Sequence, residues 1–395
     1  MRIAIMLAAA SLLVGSEAQA QPTPWSPERF TAGWVFTPAM GLGGVWDSNV
    51  LVVQEGNPAT QEMVGLVNPR AEIDFNGKRA RFSAGYSGRL ETYRSLDELT
   101  RYSQSGRVSS RYRLTPRLNV YNGQSFAQTP TTDDLEIAGL PFMRVGTRRF
   151  DTSGGFDYAL SQRATLAASY AFQWISFQRS EADAAFLEGG HYHNPSVQTS
   201  YALTSRVRVG GIWEHSRAEL DGGAETYIVN AAMGEVEWKA GPDTSVRGAA
   251  GVAHLDAVRR DEQRTGPSYR AAVSHAFPRV SVAAGYSRTY VPVFGFGGLT
   301  SSEVFTASAT VPVLRQRMFV RGHATHANHE SLALSQTQIS LESFRVGAVV
   351  GFAASRWLRV EAFVDGRHQT SSARGRVDRA RVGIQFVTSK PVRIE

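Results

Sequence analysis

The sequence predicts an all-β protein, a transmembrane antiparallel up-and-down β-barrel of about eighteen strands. Three observations predict this fold. Apolar and polar residues alternate with a period of two from Trp34 to Phe386, short turns alternate with longer polar loops, and no segment of that range reaches the roughly 20 apolar residues of a membrane-spanning helix. The composition agrees, because 42% hydrophobic and 10% aromatic residues suit a wall with one face in lipid and one in water.

The alternation is clearest between Ala80 and Arg94. One face of a strand through this segment would carry Ala80, Phe82, Ala84, Tyr86 and Leu90, and the other Arg81, Ser83, Ser87, Arg89 and Glu91. A helix would scatter both sets around its circumference, whereas a strand separates them. Many such segments follow one another, and closing them into a barrel removes the exposed edges that an open sheet would have to protect.

The connections between these segments give the strand count. Eight are short, as at 75–78 and 114–117, and nine are longer, at 52–62, 95–100, 128–143, 180–192, 220–225, 258–267, 294–301, 331–338 and 370–376. Seventeen connections join about eighteen strands. Sixteen is the alternative count, because the segments after Gln128 and Leu334 are weakly patterned. Short turns of such barrels face the periplasm, so both termini are expected there.

The first twenty residues predict a signal peptide. Arg2 is followed by an apolar run over 3–14, and the segment 16–20 ends in the small-x-small pattern of a cleavage site. The predicted organisation is therefore a signal peptide at 1–20, a periplasmic lead at 21–33, the barrel at 34–388 and a periplasmic tail at 389–395. With no cysteine in the chain, neither a lipid anchor on cysteine nor a disulfide is expected.

Arginines are the most informative chemical feature of the face that should line the lumen. The chain has a formal net charge of +7, and its only lysines are Lys78, Lys239 and Lys390. The candidate pore-lining residues are Arg81, Arg89, Arg107, Arg111, Arg149, Arg208, Arg247, Arg270, Arg321, Arg345, Arg359, Arg367 and Arg381, and Arg70 and Arg379 share their face. Most of these should brace the wall by pairing with carboxylates. The excess of arginine should leave a positive wall that concentrates anions.

The 128–143 loop is the best candidate for folding into the lumen. It is the longest loop, Pro130 and Pro141 stiffen it, Gly139 offers a joint, and Asp133 with Asp134 could meet the basic wall. An ordinary external loop is the alternative.

No other cluster predicts catalysis or metal binding. The register points His215, His254, His326 and His368 toward lipid, where they would contact headgroups. A lipid-modifying enzyme would need one of them beside an outward serine, and a catalytic site is recognised by such geometry rather than by residue types. His191 and His193 lack further ligands, and His323, His326 and His329 alternate between faces, so no metal site, cofactor or enzymatic activity is expected.

The segment from Met40 to Val50, with the sequence Met-Gly-Leu-Gly-Gly-Val-Trp-Asp-Ser-Asn-Val, resembles the opening strand of a family of outer-membrane β-barrel porins often found with exopolysaccharide gene clusters. The repeated hairpin form Leu-Thr/Ser-x-Arg before an apolar strand resembles that family too. The resemblance implies an outer membrane channel that exports an exopolysaccharide. The alternatives are a passive anion-preferring porin for small solutes and, more distantly, a lipid-modifying enzyme.

The expected location is the bacterial outer membrane. The expected partners are membrane lipid and lipopolysaccharide, the barrel assembly machinery and, if the chain exports a polymer, periplasmic polysaccharide-export components. Nucleic acid is not expected, because the arginines are dispersed at alternate strand positions and form no basic helix.

Overall fold

The computed structural model describes residues 32–135, 140–178, 187–221, 226–259, 261–277, 279–292, 294, 299–314, 317–332, 340–372 and 375–394. The predicted signal peptide, and all but the last two residues of the predicted lead, lie outside this part of the chain.

Eighteen antiparallel strands form one closed barrel. The strands are β1 Gly33–Asp47, β2 Glu62–Asn76, β3 Ala80–Tyr93, β4 Arg101–Thr115, β5 Leu118–Thr129, β6 Thr147–Ala159, β7 Ala164–Phe177, β8 Gly190–Ala202, β9 Val207–Leu220, β10 Thr226–Lys239, β11 Thr244–Ala257, β12 Glu262–Phe277, β13 Val280–Pro292, β14 Leu299–Val313, β15 Met318–Ser331, β16 Ser340–Ala353, β17 Leu358–Ser371 and β18 Gly375–Ser389. Each strand pairs with its neighbour in sequence, and β18 pairs with β1 to close the wall. The predicted fold class and the count of eighteen are confirmed.

The connections at the two ends of the barrel differ in length. The eight short connections, such as those between β2 and β3 and between β4 and β5, define the turn end, where β1 begins and β18 finishes. The other nine define the loop end, and seven of them are longer than any turn-end connection. The predicted long loops at 258–267 and 370–376 are wrong in length, because β12 begins at Glu262 and β18 at Gly375, which leaves connections as short as the turns. Within the described parts of the loops, short 3-10 turns lie at Asp97–Leu99 and at Thr132–Asp134.

Side chains alternate between an outward and a lumen face along every strand, and the register joins residues of one face from strand to strand. The outward face is strongly apolar: Leu42, Val252, Phe277, Val382 and Phe386 are each about half exposed. This apolar belt suits contact with lipid, and closure pairs the backbone groups that hydrocarbon cannot satisfy. Among the described residues no helix is long and apolar enough to cross a membrane.

The chain continues past the barrel into one more short strand. Residues Val392–Ile394 form β19, which pairs with Trp34 to Phe36 of β1. The segment predicted as a tail therefore extends the sheet at the turn end, beside the start of the chain that the structure describes.

A substitution at Val364 tests which face of the strands contacts lipid and which faces the lumen. It lies on the outward face of β17 and is 46% exposed. Replacing Val364 by Arg should destabilise the barrel by about 2–4 kcal/mol, because a cation near the middle of the belt must leave water for hydrocarbon. The free energy of unfolding in lipid vesicles, measured by urea titration, checks this.

The control is Ser83→Arg, on the lumen face of β3 directly opposite Asp74 of β2. This variant should unfold with a free energy close to that of the wild type. Equal losses in both variants would contradict the assignment of faces.

Candidate functional site in the barrel lumen

The register places all thirteen predicted arginines on the lumen face. Eight of them hydrogen-bond or ion-pair within the described part of the chain. The pairs are Arg107 with Glu72 at 3.2 Å, Arg149 with Asp151 at 2.9 Å, Arg247 with Glu235 at 3.8 Å, Arg270 with Glu214 at 2.6 Å, Arg359 with Glu361 at 2.6 Å, Arg367 with Asp365 at 2.5 Å, Arg381 with Glu91 at 2.5 Å, and Arg345 with the backbone carbonyl of Asp133. These residues brace the wall, and their pore-lining role stays a prediction.

The remaining five guanidinium groups make no hydrogen bond or ion pair with another described residue; they are Arg81, Arg89, Arg111, Arg208 and Arg321. All except Arg89 lie near the turn end. Arg81 of β3 stands directly opposite Arg111 of β4. Like charges at directly opposed positions of a sheet repel one another, so this pair favours an anion between the two side chains.

A row of three arginines crosses neighbouring strands near the loop end. Arg345 of β16 is opposite Arg367 of β17, which in turn is opposite Arg379 of β18. The row is neutralised by Asp133, whose carboxylate accepts from Arg367 at 2.7 Å and from Arg379 at 2.6 Å. Asp133 belongs to the long connection between β5 and β6, which are not neighbours of β16–β18 in the wall.

A second buried carboxylate, Asp47 at the end of β1, completes this network. It accepts from Arg379 at 2.6 Å and lies 3.3 Å from Arg381. Arg381 also pairs with Glu91 of β3, so the network links the strand that closes the barrel to the first hairpins. Asp47 and Asp133 are both essentially inaccessible to solvent.

The residues that follow Asp47 fasten the β1–β2 loop to the wall. The Ser48 hydroxyl accepts from the amide of Ala380 at 2.8 Å. The Asn49 side chain donates to the carbonyls of Val53 and Asp378, and its oxygen accepts from the amide of Val53. Asp47, Ser48 and Asn49 therefore have a structural function, which sequence reasoning missed although it singled out the motif.

The connection between β5 and β6, residues 130–146, is called the crossing segment; its described residues, 130–135 and 140–146, extend into the lumen as far as β17 and β18. It docks on β17, where the amide of Phe142 donates to Gln369 at 2.6 Å and Gln369 donates to the carbonyl of Leu140 at 3.2 Å. Arg144 donates to the carbonyls of Val50 and Leu99 in two other loops.

The sequence left this loop open between an inward and an external position, and the structure places it inside with Asp133 against the basic wall. Its limits shift from 128–143 because β5 continues to Thr129 and β6 begins at Thr147. Gly139 and the side chain of Asp134 lie outside the described residues.

Apolar side chains fill the lumen beside the crossing segment. One buried apolar cluster contains Leu140, Met143 and Val145 of the crossing segment, together with residues at the loop ends of β7 and β9–β11. On β11 the inward residues are Ala253, Leu255 and Ala257, while His254 and Asp256 point outward. The alternation of polar and apolar residues therefore reverses between the membrane belt and the loop end. This reversal can be read in the sequence, but the expectation of a polar lumen along the whole strand did not take it into account.

The histidines follow the expected faces. His215, His254, His326 and His368 lie on the outward face, hydrogen-bonded to Asn230, Thr265, Glu342 and Asp378 respectively, and none of these partners is a serine. His323 and His329 lie on the lumen face of β15, opposite in direction to His326. Within the described residues no three His, Cys, Asp or Glu side chains are grouped as metal ligands would be.

No protein-family model and no curated protein sequence matches this chain. Solved structures similar to it include OccK5 (OpdH) of Pseudomonas aeruginosa, with a TM-score of 0.46 and 8% identity over 91% of this chain and 98% of that chain. OccAB3 of Acinetobacter baumannii has a TM-score of 0.45 and 7% identity over 91% and 99%. OccK2 (OpdF) of Pseudomonas aeruginosa, solved with glucuronate, has a TM-score of 0.44 and 11% identity over 90% and 98%. Likeness this distant carries no argument about function, which rests on the residues of the lumen.

Asp133 tests the anchoring of the crossing segment. Replacing Asp133 by Ala removes the carboxylate between Arg367 and Arg379 and should cost about 3–5 kcal/mol of anchoring free energy, because the two buried guanidinium groups lose the counter-charge that they share. The segment should then be cut by protease in the folded barrel, and single-channel conductance should rise.

Asp97→Ala is the control, because Asp97 is exposed in the β3–β4 loop. It should leave both measurements unchanged. Protease resistance and conductance like those of the wild type in Asp133→Ala would contradict the anchoring.

Asp47 tests the closure of the barrel. Asp47→Asn should lower the free energy of unfolding by about 3–5 kcal/mol, since Arg379 and Arg381 lose a buried charge partner. Asp74→Asn, on the lumen face of β2 near the turn end, should change it by about 0.5 kcal/mol or less. Urea unfolding in vesicles compares the two, and equal effects would contradict a special role for Asp47.

Proposed function

We propose that this protein is a passive outer membrane porin that prefers small anionic solutes. The observation that carries the proposal is the set of lumen arginines whose guanidinium groups have no ion-pair partner among the described residues, above all the directly opposed Arg81 and Arg111. We place the turn end in the periplasm, as short turns are in barrels of this class.

Anion preference follows from how these groups are arranged. Guanidinium is always charged and binds carboxylate or phosphate oxygens through two parallel hydrogen bonds. Charges on the walls of a confined aqueous space act through a lower effective dielectric than in bulk water and raise the local concentration of the opposite ion. Arg81, Arg111, Arg208 and Arg321 would attract anions at the turn end, toward the narrowed region where Asp133 lies.

The narrowing favours small solutes over a polymer. The crossing segment is held by the arginine row, by Gln369, by Arg149 and by the loops that Arg144 contacts. A flexible polysaccharide chain would have to displace this anchored segment. A small anion, by contrast, needs only the aqueous space and the positive charge beside the segment and does not have to displace it.

The alternative of exopolysaccharide export rests on the family resemblance, at residues 40–50 and in the repeated hairpin form, and on the arginine-lined lumen. Within the barrel, Asp47 neutralises the arginine network, and Ser48 and Asn49 hold the β1–β2 loop. These roles account for the motif without a polymer substrate, so the anion porin is the function that the lumen supports better.

The test is ion selectivity in planar lipid bilayers. Under a potassium chloride gradient, the reversal potential of the purified protein should show a preference for chloride. In Arg81→Gln/Arg111→Gln the preference should fall at least about fivefold, because one charge acting at about 4 Å in water contributes roughly 1 kcal/mol and the variant removes two charges.

Arg217→Gln is the control, because Arg217 is exposed on the outward face of β9. It should leave the reversal potential unchanged. Cation preference in the wild type, or the same selectivity in the double variant, would contradict the proposal. Surface polysaccharide lost on deletion of the gene and restored by the double variant would favour export instead.

A further inference from the structure

The outward wall contains one patch that does not suit lipid. Asn122 and Gln124 point outward from the middle of β5 and are exposed. Across the ladder Asn122 stands between Ser110 of β4 and Gly154 of β6, and Gln124 is opposite Thr152 of β6. Together these five residues, Ser110, Asn122, Gln124, Thr152 and Gly154, are called the β5 patch.

The β5 patch lies within the belt and not at its rim. Along β5 it is bounded by outward Val120 toward the turn end and by Phe126 toward the loop end. The corresponding outward positions on strands far from β5 are apolar; on β14, β16 and β18 they are Ala307, Ala309, Val311, Val346, Ala348, Val350, Val382, Ile384 and Phe386.

The side-chain amides of the patch have no hydrogen-bond partner in the part of the chain that the structure describes. No hydrogen bond joins the side chain of Asn122 or Gln124 to another described residue. An amide that faces hydrocarbon without a partner costs free energy, and acyl chains offer neither donors nor acceptors. The partner of these side chains must therefore bring polar groups to the depth of the belt.

A groove of about 450 Å³ opens beside the patch. Its outward lining includes the small residues Ala71, Ala84 and Gly106, the aromatic residues Tyr86, Phe126 and Phe150, and Gln124 of the patch. Small outward residues allow another protein surface to approach the wall closely.

We propose that a second copy of this chain binds at the β5 patch and its groove, through a two-fold symmetric contact between the two barrel walls. Each amide carries both a donor and an acceptor, so the patch complements itself when a two-fold axis passes beside β5. The aromatic side chains of Tyr86, Phe126 and Phe150 in one copy then pack against the groove of the other copy. Lipid fills such a groove but cannot bond the amides, which is why a copy of the chain fits the patch better than an acyl chain.

Cysteine cross-linking tests the contact, because the chain has no cysteine of its own. In membranes, Asn122→Cys should form a covalent dimer on mild oxidation or with a short bis-maleimide. Ala309→Cys, outward on β14 far from β5, should stay monomeric under the same treatment. Equal cross-linking of the two variants, or none with Asn122→Cys, overturns the proposal.

Measuring the mass of variants distinguishes the contribution of the amides to dimerisation from that of the groove. The folded protein in mild detergent should have the mass of a dimer. Asn122→Val/Gln124→Val should shift it to the monomer, as should Ala84→Trp, which fills the groove; Ala309→Trp should remain dimeric. Heat-modifiable migration in gel electrophoresis shows that each variant is folded. A monomeric wild type, or a dimer that all variants retain, overturns the proposal.

Discussion

The structure depends on the neutralisation of an arginine row by two buried carboxylates. Arg345, Arg367 and Arg379 are directly opposed on neighbouring strands, an arrangement that repulsion would open. Asp47 belongs to β1, which pairs with β18 to close the wall, and Asp133 belongs to the crossing segment between β5 and β6. Closure of the barrel and insertion of the segment are thus joined in one network. Removal of either carboxylate leaves a buried guanidinium group without one of its counter-charges. This destabilises the fold more than replacement of the whole network by apolar residues would.

The same chemistry acts differently at the two ends of the lumen. Near the loop end the guanidinium groups of Arg345, Arg367, Arg379 and Arg381 bind the chain's own carboxylates and carbonyls, so they stabilise the fold. Toward the turn end Arg81, Arg111, Arg208 and Arg321 have no such partners among the described residues. This difference between the two ends is the basis of the proposed preference for small anions.

The outward face shows a comparable division. Over most of the wall it is apolar and suits lipid, and above the belt it turns polar, as at His254 and Asp256 of β11. The β5 patch breaks this rule within the belt itself. A polar group at that depth is expensive unless another protein surface satisfies it, so its position is informative in a way that a polar residue at the rim is not.

The period-two pattern by itself determined the fold class and the face of every predicted arginine, because a pleated strand alternates its side chains and closure follows from many strands with apolar outward faces. The strand count came from the turns and loops, which indicated eighteen strands and left sixteen as the alternative. Sequence spacing could not determine which arginines are paired, because Asp133 and Arg379 are joined by a loop that reaches strands distant in the wall. Nor could it reveal that Leu255 and Met143 fill the lumen, or that Asp47 serves the network. These contacts are long-range, and only the closed tertiary structure decides which side chains meet across the lumen.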